Sequence, residues 1–259
     1  MLFRSRVVAV GGDGTINEVV NGLMSATARG VSLGIVPGGT GSDLVRTLKV
    51  PTELEAAVHL AVAGEARPLD VMRATFHGDD GQAVERWGMN VIGMGLAGDV
   101  VRRVNAGSKA WGGTLTFLGA TLSALAAWSP VEVEIRWTDE RGVAGDWRGR
   151  LVNAFVGNGQ FCGGGVWLGP AGRMDDGLLE LMIIPQLPVG VLMARIPHLY
   201  TGKLSATSGV VWKQIRSVSA RVIGDGRALA DVDGEQPGGL PVHISVLERA
   251  LSVVCGAGG

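Results

Sequence analysis

The chain has 259 residues, enough for one large domain or two small ones, and 46% hydrophobic against 18% charged residues excludes a disordered chain. A net charge of −1 offers no basic surface for a nucleic-acid backbone, so no nucleic-acid partner is expected. The two cysteines, Cys162 and Cys255, stand far apart in no metal-binding spacing and read as reduced thiols of a cytoplasmic protein.

Residues 1–6 are too short for a signal peptide and lead straight into a strand at 6–10. That strand is continuously apolar, as buried parallel strands are. It stops at Gly11-Gly12-Asp13-Gly14, and a helix is predicted over 15–28. Thr15 and Glu18 have capping-box spacing, and Ile16, Val19, Val20 and Leu23 supply the apolar face. A second strand, 31–36, ends at another glycine turn, Pro37 to Asp43, with a helix starting near Ser42. A further helix covers 53–63 and ends at Gly64.

From Pro68 the periodicity changes. Strands at 69–76 and 83–90 flank the turn Gly78-Asp79-Asp80-Gly81. Residues 91–100 lead into a helix carrying Arg102 and Arg103. A long helix over about 110–128 follows, uncharged from Ala110 to Pro130, bracketed by Trp111 and Trp128. Its glycines make it a buried or interfacial helix rather than a membrane span. Later strands are predicted at 131–137, 147–157, 178–184, 209–223, 228–233 and 241–254, with a short helix at 188–199. The expected fold is therefore an α/β nucleotide-binding segment at residues 1–67 followed by an antiparallel β-sandwich domain at 68–259. Two parallel strands cannot make a stable covered sheet. Either the last strand returns to the first segment, or the chain lacks an N-terminal piece.

Glycines after a strand let the backbone approach a phosphate, and the following helix offers free N–H groups at its positive end. Asp13 stands where a carboxylate can hold a Mg²⁺ that bridges phosphate oxygens. The first turn is neither a Walker A loop nor a Gly-x-Gly-x-x-Gly fingerprint. A tight turn in which Asp13 or Thr15 merely caps a helix would use the same residues. The second turn weighs against that, because consecutive parallel strands bring such loops side by side at one crevice.

The set Gly11 to Leu23, Pro37 to Asp43, Asn90 to Gly95, Asn158-Gly159 with Gly163-Gly164-Gly165, Met174 to Glu180 and Asp233-Gly234-Glu235 resembles the diacylglycerol kinase and lipid kinase catalytic family. That family includes bacterial diacylglycerol kinases, sphingosine kinases and ceramide kinases, and its fold is related to that of NAD kinases. The resemblance implies an enzyme that moves the γ-phosphoryl group of Mg-ATP to a hydroxyl of diacylglycerol or a related membrane lipid. It implies that Gly11, Gly12, Asp13, Gly14, Thr15, Ile16 and Asn17, with Gly38, Gly39 and Thr40, contact ATP. It also implies that Asp233 or Glu235 is the base that takes the hydroxyl proton. Asp-Gly is a common hairpin signal, recurring here at Asp80, Asp176 and Asp225, and only place in the family pattern raises Asp233 above them.

By the same resemblance, Asp176 with the carbonyls of Arg173 and Leu178 would form a second Mg²⁺ site. The expected partner is a membrane lipid met by peripheral contact at the inner membrane face, with a homodimer as the assembly. Family members carry a strand, a helix and a second strand before the first glycine turn, so the chain reads as N-terminally incomplete. The alternatives are a soluble NAD kinase-like enzyme and a truncated, non-catalytic nucleotide-binding protein.

Overall fold

The computed structural model describes residues 5–26, 30–39, 43–77, 82–106, 128–169, 172–203 and 207–256. The α/β segment comprises β1 (Arg6–Gly11), α1 (Asp13–Ser25), β2 (Ser32–Pro37), α2 (Asp43–Thr47) and α3 (Leu54–Ala63). Then come β3 (Ala66–His77), β4 (Ala83–Gly88), β5 (Val91–Gly95) and α4 (Leu96–Ala106). The remainder is β6 (Val131–Asp139), β7 (Ala144–Gly157), β8 (Phe161–Cys162), β9 (Val166–Trp167), β10 (Leu179–Pro185), α5 (Val189–Leu199), β11 (Val211–Val222), β12 (Leu229–Val232), β13 (Glu235–Gly239) and β14 (Val242–Val254).

β1 and β2 are parallel, with Arg6 opposite Ser32 and Gly11 opposite Pro37, so both glycine turns leave the sheet at the same level. β14 completes this small parallel sheet. Its Ser252 and Val253 pair with Ser32 and Leu33 of β2, and its full length runs antiparallel to β3. The β3 register breaks between Leu247 and Leu251, where Arg249 takes a left-handed φ of 50°. One half of β14 therefore serves the parallel sheet, while Ser245 to Val242 pair with β11 in the sandwich. This covers β2 on the side away from β1.

The antiparallel part is a sandwich. β11 lies against β14, β10 and β6, and β7 lies against β10, β5 and β6. Met72, Ile92, Leu181, Ile215, Val218 and Ile244 pack between its faces. A second cluster joins Ile16 and Val20 of α1 and Leu44 of α2 to Leu33, Leu69, Val71 and Val253. It anchors both glycine-turn helices on the strands that continue into the sandwich. Asn21 adds a two-way clamp, donating Nδ2 to the Trp87 carbonyl (2.8 Å) and accepting the Trp87 N–H (3.0 Å).

Three local expectations are corrected. α1 starts at Asp13, its N-cap is Gly12, and no side chain caps it. Thr15 therefore lies inside the first turn and cannot form a capping box with Glu18. The strand expected over 83–90 ends at Gly88 and a separate strand, β5, begins at Val91, because Asp233 takes the intervening N–H groups out of the ladder. β13 was not anticipated, since its Glu-Gln-Pro-Gly-Gly sequence carries no strand signal. The 78–81 turn and residues 107–127 of the long apolar stretch lie outside the described residues. Among the described residues no helix is long and apolar enough to cross a membrane.

Candidate active site

The two glycine turns touch backbone to backbone. The Gly38 N–H donates to the Gly11 carbonyl at 2.8 Å. A Cβ added to Gly39 would lie 2.6 Å from Gly12 Cα, and one on Gly38 would lie 3.3 Å from Gly11 Cα. These glycines are required by close approach. Behind them α1 presents its N-terminus: Ile16 N–H is the first to bond back, to the Gly12 carbonyl at 3.1 Å. The N–H groups of Asp13, Gly14 and Thr15 are left for a ligand at the positive end of the helix dipole.

Four carboxylates converge there. Asp13 opens α1, and its Oδ1 is buried without a hydrogen-bond partner. Burial pushes its carboxyl up to about 6, and the charges of Asp43 and Asp233 push the same way. Asp43 opens α2 in the corresponding place after the second turn. Its Oδ2 accepts the Gly164 N–H (2.7 Å), and its Oδ1 lies 3.5 Å from Arg46 Nη1. Burial raises its carboxyl too, against these two stabilising contacts.

The Asp-Gly-Glu motif divides into an anchor and a reach. Asp233 has φ 50° and accepts the N–H groups of Met89 (2.7 Å), Asn90 (3.0 Å) and Val91 (2.8 Å), plus Asn17 Nδ2 (3.2 Å). Burial raises its carboxyl despite these four donors. Glu235 is exposed, and its Oε1 lies 3.3 Å from where a Cβ on Gly14 would stand. Its carboxylate thus rests on the first turn of α1, with no hydrogen bond among the described residues. Two residues before Asp233, Asp231 is buried at 5% exposure, and that burial pushes its carboxyl up to about 7.

The structure brings Gly11, Gly12, Asp13, Gly14, Thr15, Gly38 and Gly39 to one crevice with Asp233 and Glu235; Thr40 lies outside the described residues. Ile16 and Asn17 stand behind this crevice. The Ile16 side chain is in the core and its N–H is spent in the helix. The Asn17 side chain is buried and donates to the Trp87 carbonyl and to Asp233. Arg173, Asp176 and Leu178 belong to a separate loop. There Asp176 Oδ1 accepts the Leu178 N–H (3.0 Å), and Asp70 Oδ2 holds the Gly177 N–H (2.8 Å). Asp43 is the site residue that sequence reasoning left unassigned. Its signal was available: like Asp13, it is the acid that opens the helix after a glycine turn.

Among the described residues no group of three or more His, Cys, Asp or Glu side chains gathers to hold a metal ion. The unpartnered Asp13 oxygen, with Asp43 close enough to raise it, nevertheless fits the all-oxygen preference of a divalent cation arriving with a phosphate ligand.

Two interlocked glycine turns, a free helix N-terminus and convergent carboxylates at the carboxyl edge of a parallel sheet make the kind of cleft that kinases use for phosphates. Comparison with known proteins gives the family. Residues 3–74 match the diacylglycerol kinase catalytic domain, and residues 90–255 match the YegS C-terminal NAD kinase beta sandwich-like domain. The "Probable lipid kinase YegS-like" protein of Xanthomonas campestris pv. campestris is 32% identical over 222 residues, covering 82% of this chain and 68% of its own length. A diacylglycerol kinase of Bacillus subtilis is 28% identical over 249 residues, covering 96% of this chain and 77% of its own. The crystal structure of a candidate diacylglycerol kinase from Bacillus anthracis superposes with a TM-score of 0.74 at 25% identity, over 97% of this chain and 77% of that one. The chain belongs to the diacylglycerol kinase-like family of lipid kinases, and its fold is that family's α/β segment joined to a β-sandwich.

Proposed function

We propose that the chain transfers the γ-phosphoryl group of Mg-ATP to a hydroxyl of diacylglycerol or a related membrane lipid. One observation carries the reading: Glu235 rests over the first turn of the helix whose N-terminus, glycine turns and unpartnered Asp13 oxygen await a phosphate. In this reading the N–H groups of residues 13–15 and the touching turns orient the nucleotide phosphates. Asp13, with Asp43 beside it, would hold the Mg²⁺, which neutralises charge on the phosphate oxygens when bound. Glu235 takes the proton of the lipid hydroxyl as its oxygen bonds to the γ-phosphorus. The bond from that phosphorus to the bridging oxygen breaks, and ADP leaves with the electron pair. Asp233 touches neither substrate in this scheme. It ties the β4–β5 turn, α1 and the Asp-Gly-Glu turn together so that Glu235 reaches its place.

The acceptor is met by peripheral contact with the membrane. The test is radiolabelled phosphate transfer from ATP in mixed micelles, with and without diacylglycerol, and in parallel with NAD. Transfer that requires lipid supports the reading. Transfer to NAD with none to lipid would replace it with an NAD kinase-like activity.

A further inference from the structure

We propose that Arg46 is an oxyanion-binding residue of this cleft, presenting the open edge of its guanidinium to a phosphate group of a bound substrate. The inference rests on the kinase reading above and adds a binding residue to it.

Arg46 lies in the last turn of α2, three residues after Asp43. Three things hold it. Its Cζ sits 5.1 Å from the centre of the Phe161 ring, and that ring stacks on Trp167 at 5.6 Å. Its Nη1 is 3.5 Å from Asp43 Oδ1. On a third side lies Gly165, with φ 107°, where an added Cβ would come within 2.9 Å of Nη1. Despite this the side chain is 47% exposed, and among the described residues Nε and Nη2 donate to nothing.

A guanidinium whose task was to neutralise Asp43 would meet it bidentately at about 2.7–2.9 Å. This one makes a single long contact and leaves most of its five donors free. An arginine without a task would keep its rotamer freedom. Here an aromatic face and a glycine turn have already removed much of that freedom, so little ordering remains when an anion binds. The surroundings select the ligand's charge. Asp13, Asp43, Asp233 and Glu235 make the cleft acidic, and a phosphate entering it needs compensating cations. Arg46 is the cation whose charge acts on Asp43, one of these acids.

A phosphoryl oxyanion matches the planar fork. It can come from two sources, the phosphate chain of the nucleotide donor or a phosphate in the headgroup of an acidic acceptor lipid. The experiment compares the parent chain with Arg46→Gln and Arg46→Lys. One arm is calorimetric binding of inorganic pyrophosphate. The other is kcat/KM in mixed micelles with neutral diacylglycerol and, separately, with phosphatidylglycerol.

If Arg46 holds the donor, Arg46→Gln weakens pyrophosphate binding by about tenfold or more and lowers kcat/KM equally for both lipids. Arg46→Lys restores part of the loss, because it keeps the charge without the fork. If Arg46 holds the acceptor, pyrophosphate binding is unchanged and the loss is confined to phosphatidylglycerol. The proposal is overturned if both variants match the parent within about twofold in both arms. Should the parent phosphorylate neither lipid, the kinase reading fails, and the pyrophosphate arm alone decides whether Arg46 binds an oxyanion. Should Arg46→Gln fail to fold, Arg46→Lys carries both arms.

Discussion

Asp233 accepts a hydrogen bond from the side-chain amide of Asn17 at 3.2 Å, across 216 residues of chain. This contact joins the last motif of the sequence to the first. It also explains why two acids of one Asp-Gly-Glu turn have different tasks. Asp233 is saturated by three backbone N–H groups and one amide, whereas Glu235 extends beyond that anchor to the helix end.

Asp233→Ala should therefore damage the fold and Glu235→Gln the chemistry. Truncating Asp233 strands the N–H groups of Met89, Asn90 and Val91, at about 1 kcal/mol or more each, so urea unfolding should lose about 3 kcal/mol. Glu235→Gln should leave the unfolding midpoint in place and lower kcat by about 100-fold or more, the usual contribution of a general base. The opposite pattern would make Asp233 the base.

Two glycine-to-alanine changes should have opposite signs. In Gly39→Ala the new methyl meets Gly12 Cα at 2.6 Å, so the two turns must separate. Thermal stability and nucleotide affinity should both fall. Gly22→Ala, within α1 and with nothing within 4 Å of the new Cβ, should stabilise by about 0.5–1 kcal/mol and leave turnover unchanged. Differential scanning calorimetry with and without nucleotide reads both. Equal behaviour of the two variants would contradict the close contact.

Stability should decline as pH rises from about 4 to 7. Asp231 titrates near 7 in the folded chain and at its ordinary 3.8 when unfolded. Within that window the folded chain binds more protons than the unfolded one, so unfolding free energy falls, by up to about 1.4 kcal/mol per pH unit, and levels off above 7. Asp13, raised to about 6, acts in the same sense over the lower part of the window. Urea titrations at intervals of pH should show a shallower slope for Asp231→Asn; an unchanged slope would clear Asp231. Ionisation of Asp13 should at the same time make Mg-nucleotide affinity climb with pH and flatten above about 6.

The loop holding Asp176 offers a separate metal test. Burial raises the Asp176 carboxyl, and the neighbouring Asp70 raises it further. Two carboxylates at such close quarters are relieved by a cation. Millimolar Mg²⁺ should raise the Tm of the parent chain and not that of Asp176→Ala. A metal-induced shift of equal size in both would place the ion elsewhere.

Much of the architecture was readable along the chain. A continuous apolar run cut off by glycines marked each strand–turn–helix unit, and runs of strand-forming residues between turn signals marked most strands of the second half. These signals are local, arising within a few residues from φ/ψ preference and from which side of an element faces the core. The supporting roles of Ile16 and Asn17 were not readable in this way. Ile16 packs with Val71 and Val253 and Asn17 bonds Trp87, partners far away in sequence. Arg46 likewise needs Phe161 and Gly165 before its orientation means anything.

Two glycine turns after strands, an α/β start, a β-rich remainder and the motifs of a lipid kinase family are all written along the chain. That the turns touch, that Asp43 joins Asp13, and that Asp233 anchors while Glu235 reaches all depend on how distant segments pack together. A carboxylate's role depends on which donors and charges surround it. In this fold those neighbours come from β4, β5, the Gly163–Gly165 turn and α1, segments that long-range strand pairing alone brings together.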